Sequence, residues 1–377
     1  MAALVAGCYF IFFALVAIQG VLLNVVPPRR FARVTGSLQA FLAAGMLILL
    51  VLSFSIGPPV ARWAARPEAA RWLPPVWFLG VCDPSMPALA SRAKVGLAMA
   101  VMLVLAAYTV SYRRHRALMM EGVSASVRER RWVGAIFEFL VRDPREQAVM
   151  AFLAKGIAGE GPHRMILMGY GGFGVAVLLG LLGRRPVAAA PFVFGHIVLL
   201  TFLLLGLRHS FSIPVELRAN WAFRITEGEG RAQWRRAMDR FVIFFGAVTM
   251  ILVPLPLELR LLGWRGLAEA GMFAMFGLAC YQAVFASWEK LPLTCSYLPG
   301  KSPMWMVALR LMGLLAALPL LNAVLLACLY NWMLFAGVFA GLAAIWVYLR
   351  RSRMGSEVRL KYEEAPDPAI HGLNLGR

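Results

Sequence analysis

The sequence is short of acid. Nineteen Asp and Glu stand against 38 Lys and Arg in 377 residues. Within the long apolar runs acids are nearly missing, which argues against ion coupling through intramembrane carboxylates. Glu258 and Glu269 fall at the ends of such runs, near the outer face in the topology derived below. Cysteine is sparse as well. Cys8, Cys82, Cys280, Cys295 and Cys328 are scattered and none makes a C-x-x-C pair, which excludes a disulfide framework and a cysteine zinc site. No H-E-x-x-H, no paired catalytic carboxylates and no Asp-rich prenyl-phosphate motif occur. Gly300, Lys301 and Ser302 spell G-K-S, but Cys295 stands where a P-loop needs glycine. A loop between apolar runs also supplies neither the strand nor the free helix start that the motif requires. No catalytic, cofactor or metal residue is assigned on these grounds.

What the chain has in quantity is apolar length. It is 60% hydrophobic with a mean hydropathy of +0.71. Runs of about 20 apolar residues recur, and each is the length of a membrane-crossing helix. The expected fold is all-α, a polytopic bundle of about nine transmembrane helices with short interfacial helices. The expected spans are 2–26, 38–56, 95–112, 165–182, 187–207, 241–257, 267–286, 304–329 and 333–349. Residues 350–377 form a basic, then polar and Pro-containing tail, expected to be disordered. The glycine-rich Gly169–Gly174 lies inside a span, where small residues let helix backbones approach.

The formal charge of +19 does not mark a nucleic-acid binder, because the arginines sit in short loops beside apolar spans. The odd-numbered loops and the tail carry 28 of the 38 Lys and Arg, and the even-numbered loops carry nine. Positive charge stays inside, so the odd loops and the C-terminus are expected in the cytoplasm of a bacterial inner membrane. The stretch Arg208–Arg240, with seven arginines and two tryptophans, weighs heavily in that assignment. The N-terminus then lies outside with almost no chain before the first span, which points to a start further upstream or misassigned.

Two segments are candidates for partner contact. Asp143, Pro144 and Glu146 read as a helix start, with an N-cap, a first-position proline and an early acid. Val149, Phe152, Leu153 and Ile157 then share one face, giving a short amphipathic helix over Asp143–Gly159. Such a helix lies on the membrane surface or couples to a partner. The second segment is Glu216, Arg218, Trp221 and Arg224, a cytoplasmic docking surface or anion patch if it is not simply interfacial. His196, alone in mid-span, reads as a packed histidine, since no second His or carboxylate follows at helical spacing. Cys295 has Lys290 and Lys301 nearby but no histidine in its loop, and reads as structural.

Ile213–Glu227, IPVELRANWAFRITE, and Lys290–Ser302, KLPLTCSYLPGKS, resemble strings of a group of uncharacterised multi-pass bacterial membrane proteins. That group is loosely classed with exporter-type ABC transporter permeases. The resemblance covers mainly the chain from Met165 onward. The first reading is a transport permease subunit with membrane lipids and a separate cytoplasmic ATPase as partners, the helix Asp143–Gly159 being the feature that could couple to it, although permeases of that type commonly have six spans. A membrane-embedded enzyme acting on a lipid-linked substrate, lined by Glu216, Arg218, Arg224 and His209, is the first alternative. A scaffold with no site is the second.

Overall fold

A computed structural model describes residues 2–25, 87–121, 137–139, 141–182, 189–215, 231–247, 251–252, 254–286, 288, 290–295 and 304–355. It also describes positions 34, 38, 39, 42, 44, 45, 77, 78 and 81. Among the described residues there are ten helices and no strand. They are α1 (Ala2–Val25), α2 (Pro87–Glu121), α3 (Pro144–Gly159), α4 (Gly161–Leu182) and α5 (Ala189–Phe211), followed by α6 (Arg231–Ala247), α7 (Leu255–Leu262), α8 (Arg265–Val284), α9 (Met304–Cys328) and α10 (Trp332–Gly355). Six windows among them are long and apolar enough to cross a membrane: Val5–Leu22, Pro87–Tyr112, Gly161–Leu181, Phe192–Phe211, Arg265–Val284 and Trp332–Arg353. Helices without strands among the described residues, six of them this long and apolar, fit a membrane protein.

Three of the nine expected spans are not among those six. Leu38–Ile56 lies largely outside the described residues. The span expected over Phe241–Leu257 is divided: α6 begins ten residues earlier, at Arg231, and a separate short helix starts at Leu255. α9 has the expected length, but its described apolar stretch is only Ala316–Cys328. The third expected span is also longer than its apolar core, because α2 runs unbroken for 35 residues. The tail beyond Gly355 lies outside the described residues.

The chain forms two units, the first of residues 1–42 and 52–128, the second of residues 43–51 and 129–377. In the first, α1 and α2 run the same way. Phe10 lies beside Gly96, and Gly20 abuts Ala107. Phe12 and Tyr9 of α1, and Met102 and Tyr108 of α2, point outward. Large apolar side chains left uncovered on both helices suit contact with lipid rather than water.

The second unit has a continuous apolar core. Leu153 of α3, Ile197 and Leu207 of α5, Met238 of α6, Phe276 of α8 and Leu325 of α9 all belong to it. α4 and α5 pack antiparallel and close, because a Cβ on Gly174 would stand 2.7 Å from the Leu199 Cα. That is the role expected of the glycine-rich run. α8 and α10 lie parallel. At one end the Trp264 and Trp332 rings stack with centroids 5.4 Å apart, and the Arg265 guanidinium sits 5.1 Å from the Tyr330 ring centre. At the other end Arg353 of α10 donates to Gln282 of α8 at 2.8 Å. From Trp332 to Arg353 is about 32 Å of helix, close to the roughly 30 Å of a bilayer's hydrocarbon core.

α3 starts as its sequence requires. Arg145 N–H donates to Asp143 Oδ1 at 2.9 Å, so the N-cap satisfies one of the orphan amides of the first turn. The apolar face is real, but it is already covered. Val149, Leu153 and Ile157 are buried in the unit's own core, and Phe152 packs edge-on against Trp234 of α6. α3 is therefore a packed element of the bundle, and its apolar face is not left open to a partner.

A candidate cation site

Three ionisable side chains meet inside the second unit, at its Trp264 end. α5 supplies His196. The hairpin of α7 and α8 supplies Glu258 and Glu269. Gly263 makes the hairpin possible: it ends α7 with φ +59°, a conformation that costs other residues about 1–2 kcal/mol. Gly266 makes it tight. A Cβ there would lie 2.9 Å from both the carbon and the oxygen of the Glu258 carbonyl. Because Gly266 and Glu269 are three residues apart on α8, they share a face, and Glu269 is carried toward Glu258.

His196 Nδ1 lies 3.1 Å from Glu258 Oε1. The His196 ring stacks on Phe273, centroids 3.9 Å apart and planes 16° from parallel. Phe273 is one turn after Glu269, so α8 both presents a carboxylate and holds the imidazole plane. One potential ligand atom from each of the three residues lies within 4.8 Å of the others. None of the three residues is more than 2% exposed. Neither oxygen of Glu269 has a hydrogen-bond partner among the described residues, and neither glutamate pairs there with Lys or Arg. Two ionised carboxylates so placed cost several kcal/mol each unless a proton or a cation neutralises them.

Sequence reading missed this cluster. Helical spacing reveals only partners on the helix that carries His196, whereas the carboxylates come from two others. Glu258 and Glu269, expected near the outer face, are buried inside the bundle. The available signal was local: two acids flank Gly263 and Gly266, and a helical hairpin over 255–270 sets them face to face.

A second polar network closes the Arg353 end, about 20 Å away along α8. Buried Glu146 accepts from Arg236 Nε at 2.8 Å and from Arg240 Nη1 at 2.5 Å. Tyr281 donates to Asp239, and Arg353 approaches the same Asp239 oxygen at 3.3 Å. Arg235 donates to the Arg353 carbonyl at 2.6 Å. These groups neutralise and bond one another. The network ties α3, α6, α8 and α10 together and offers no open coordination position.

Of the sequence-derived candidates, Glu216, Arg218, Trp221 and Arg224 lie outside the described residues, as does Gly300–Ser302. Asp143, Val149, Phe152, Leu153 and Ile157 all serve the packing of α3. His209 is exposed and contacts the Tyr170 hydroxyl at 3.3 Å. Cys295 is buried, as a structural cysteine would be. The two strings that carried the resemblance touch: Val215 N–H donates to the Leu293 carbonyl at 3.0 Å, and Leu293 N–H to the Phe211 carbonyl at 2.9 Å. The chain matches no protein-family model, no curated protein and no solved structure.

Proposed function

We propose that this protein is a polytopic membrane transporter that takes a cation into the His196–Glu258–Glu269 cluster. One observation carries the reading: three buried ionisable groups from three helices converge inside an apolar bundle, with Glu269 left unbonded among the described residues. Ionisable residues at such depth are expensive, and they mark ion pathways more often than packing. The bias of Arg and Lys favours a cytoplasmic Arg353 end, so on this reading the cluster lies nearer the outer face. The cluster is closed on all sides, so a cation enters or leaves only when the α7–α8 hairpin moves against α5.

This reading reverses the weight given to a separate ATPase. The apolar face of α3 that would have coupled to one is occupied by the chain's own core. What α3 leaves outside is small or cationic: Pro144, Arg145, Ala148, Lys155, Ala158 and Gly159. A scaffold without a site gives no reason for two carboxylates in the interior. An enzyme acting on a lipid-linked substrate needs an opening to its reactive groups.

The test is flux in proteoliposomes holding the purified full chain, with Na+, Mg2+, Mn2+ and Zn2+ offered in turn down a gradient. Wild-type protein is expected to move at least one of them faster than empty liposomes do, and Glu269→Gln is expected to remove that flux. Equal flux through wild type and variant sinks the proposal. Flux that appears only with an added ATPase subunit and ATP restores the permease reading.

A further inference from the structure

We infer that the cation held by His196, Glu258 and Glu269 is a divalent transition metal of the Zn2+ type. The inference rests on the same cluster as the transport reading and deepens it. One imidazole nitrogen with two carboxylate groups suits borderline ions such as Zn2+ and Co2+. Mg2+ and Ca2+ prefer oxygen alone and take six or more ligands. No cysteine is among the three, so soft ions such as Cu+ gain nothing here.

The distances agree. Zinc binds nitrogen and carboxylate oxygen at about 2.0–2.2 Å, so two ligand atoms on a tetrahedral ion stand about 3.4 Å apart. His196 Nδ1 and Glu258 Oε1 are 3.1 Å apart. The whole set lies within 4.8 Å, so a carboxylate shift of at most about 1.4 Å at Glu269 brings the third ligand into range. Three protein ligands leave one position of a tetrahedral ion open, for water or an exchanging ligand.

The surroundings hold the geometry before any ion arrives. Phe273 fixes the imidazole plane by stacking. Gly266 fixes the spacing of α7 and α8. Glu269 is 2% exposed and its two oxygens lack hydrogen-bond partners among the described residues. That buried, unpaired carboxylate is what separates this cluster from an ordinary ion pair.

The experiment uses the full chain in lipid nanodiscs, stripped with chelator and dialysed against Zn2+, Mn2+, Co2+ or Mg2+, with bound metal counted by mass spectrometry. One Zn2+ per chain is expected, undisturbed by excess Mg2+, and Co2+ is expected to give visible absorption bands. Glu269→Gln and His196→Gln are each expected to weaken Zn2+ binding at least tenfold. Should His196→Gln fail to fold, the nearly isosteric Glu269→Gln and the loss of the Co2+ bands still decide the matter. Zinc retained unchanged in the variants means an adventitious ion only, and overturns the inference. No zinc on wild-type protein also overturns it; cation flux that persists then keeps the transport reading alive. Zinc bound with the expected losses but no flux upholds the metal site and removes the transporter.

Discussion

Gly266→Ala tests the geometry of the cluster without touching a charge. An added Cβ meets the carbonyl carbon and oxygen of Glu258 at 2.9 Å and the Leu259 nitrogen at 3.0 Å. Ordinary contact for a Cβ begins at 3.4 Å, so α7 must retreat from α8 by about 0.5 Å. All three atoms are backbone, so no rotamer change absorbs the strain. Overpacking of this kind costs about 1–3 kcal/mol. The same retreat carries Glu258 away from Glu269 and His196. Residues that position metal ligands are worth about 10–100-fold in affinity, or roughly 1.4–2.8 kcal/mol. The expected outcome is a lower thermal midpoint for the full chain in detergent, with Zn2+ affinity reduced at least tenfold. Gly271→Ala is the control, because a Cβ there meets nothing within 4 Å. If Gly266→Ala unfolds at the wild-type temperature and binds zinc as tightly, the hairpin does not set the cluster and the reasoning fails.

Other predictions concern the framework around the cluster. Glu146→Gln should destabilise the chain by about 1–2 kcal/mol, measured by thermal unfolding; Arg236 and Arg240 are about half exposed, so water recovers part of their loss. Arg353→Met leaves Asp239 and Gln282 without their shared donor and should cost about 3 kcal/mol in the same assay, while zinc affinity at the opposite end stays unchanged. Leu293 is buried at φ +66°, with its side chain against Gly156. Leu293→Ala should therefore cost about 2–5 kcal/mol, and Leu293→Gly about 1 kcal/mol less, because glycine alone is at ease in that conformation. A denaturation series in which the glycine variant is the weaker of the two contradicts the account.

The helical class and the position of most apolar helices were legible in the sequence, because length and hydropathy act locally. Asp143, Pro144 and the Val149–Leu153–Ile157 face located α3 for the same reason. What that face packs on was not legible, since amphipathicity is the same whether the cover is lipid, a partner or the chain's own core. Glu146 shows a related gap. It was read as the early acid of a helix start, and it also receives two arginines from α6. The cluster of His196, Glu258 and Glu269 was invisible for a deeper reason. Each acid lies near an end of its helix, where sequence reading places it at a membrane face. Only the turn at Gly263 and the close contact at Gly266 fold the pair inward, and those are tertiary facts.

The stacked rings of Trp264 and Trp332 have a bearing on chemical access. Tryptophan gathers where lipid headgroups meet water, so this pair gives the depth of that boundary. Glu269 is five residues further along the helix, about 7 Å below it, whereas some 20 Å of protein separates Glu269 from the opposite rim. A carboxyl-modifying carbodiimide unable to cross the bilayer should thus attack from one compartment alone. Sealed vesicles prepared in the two orientations would differ in their sensitivity to it.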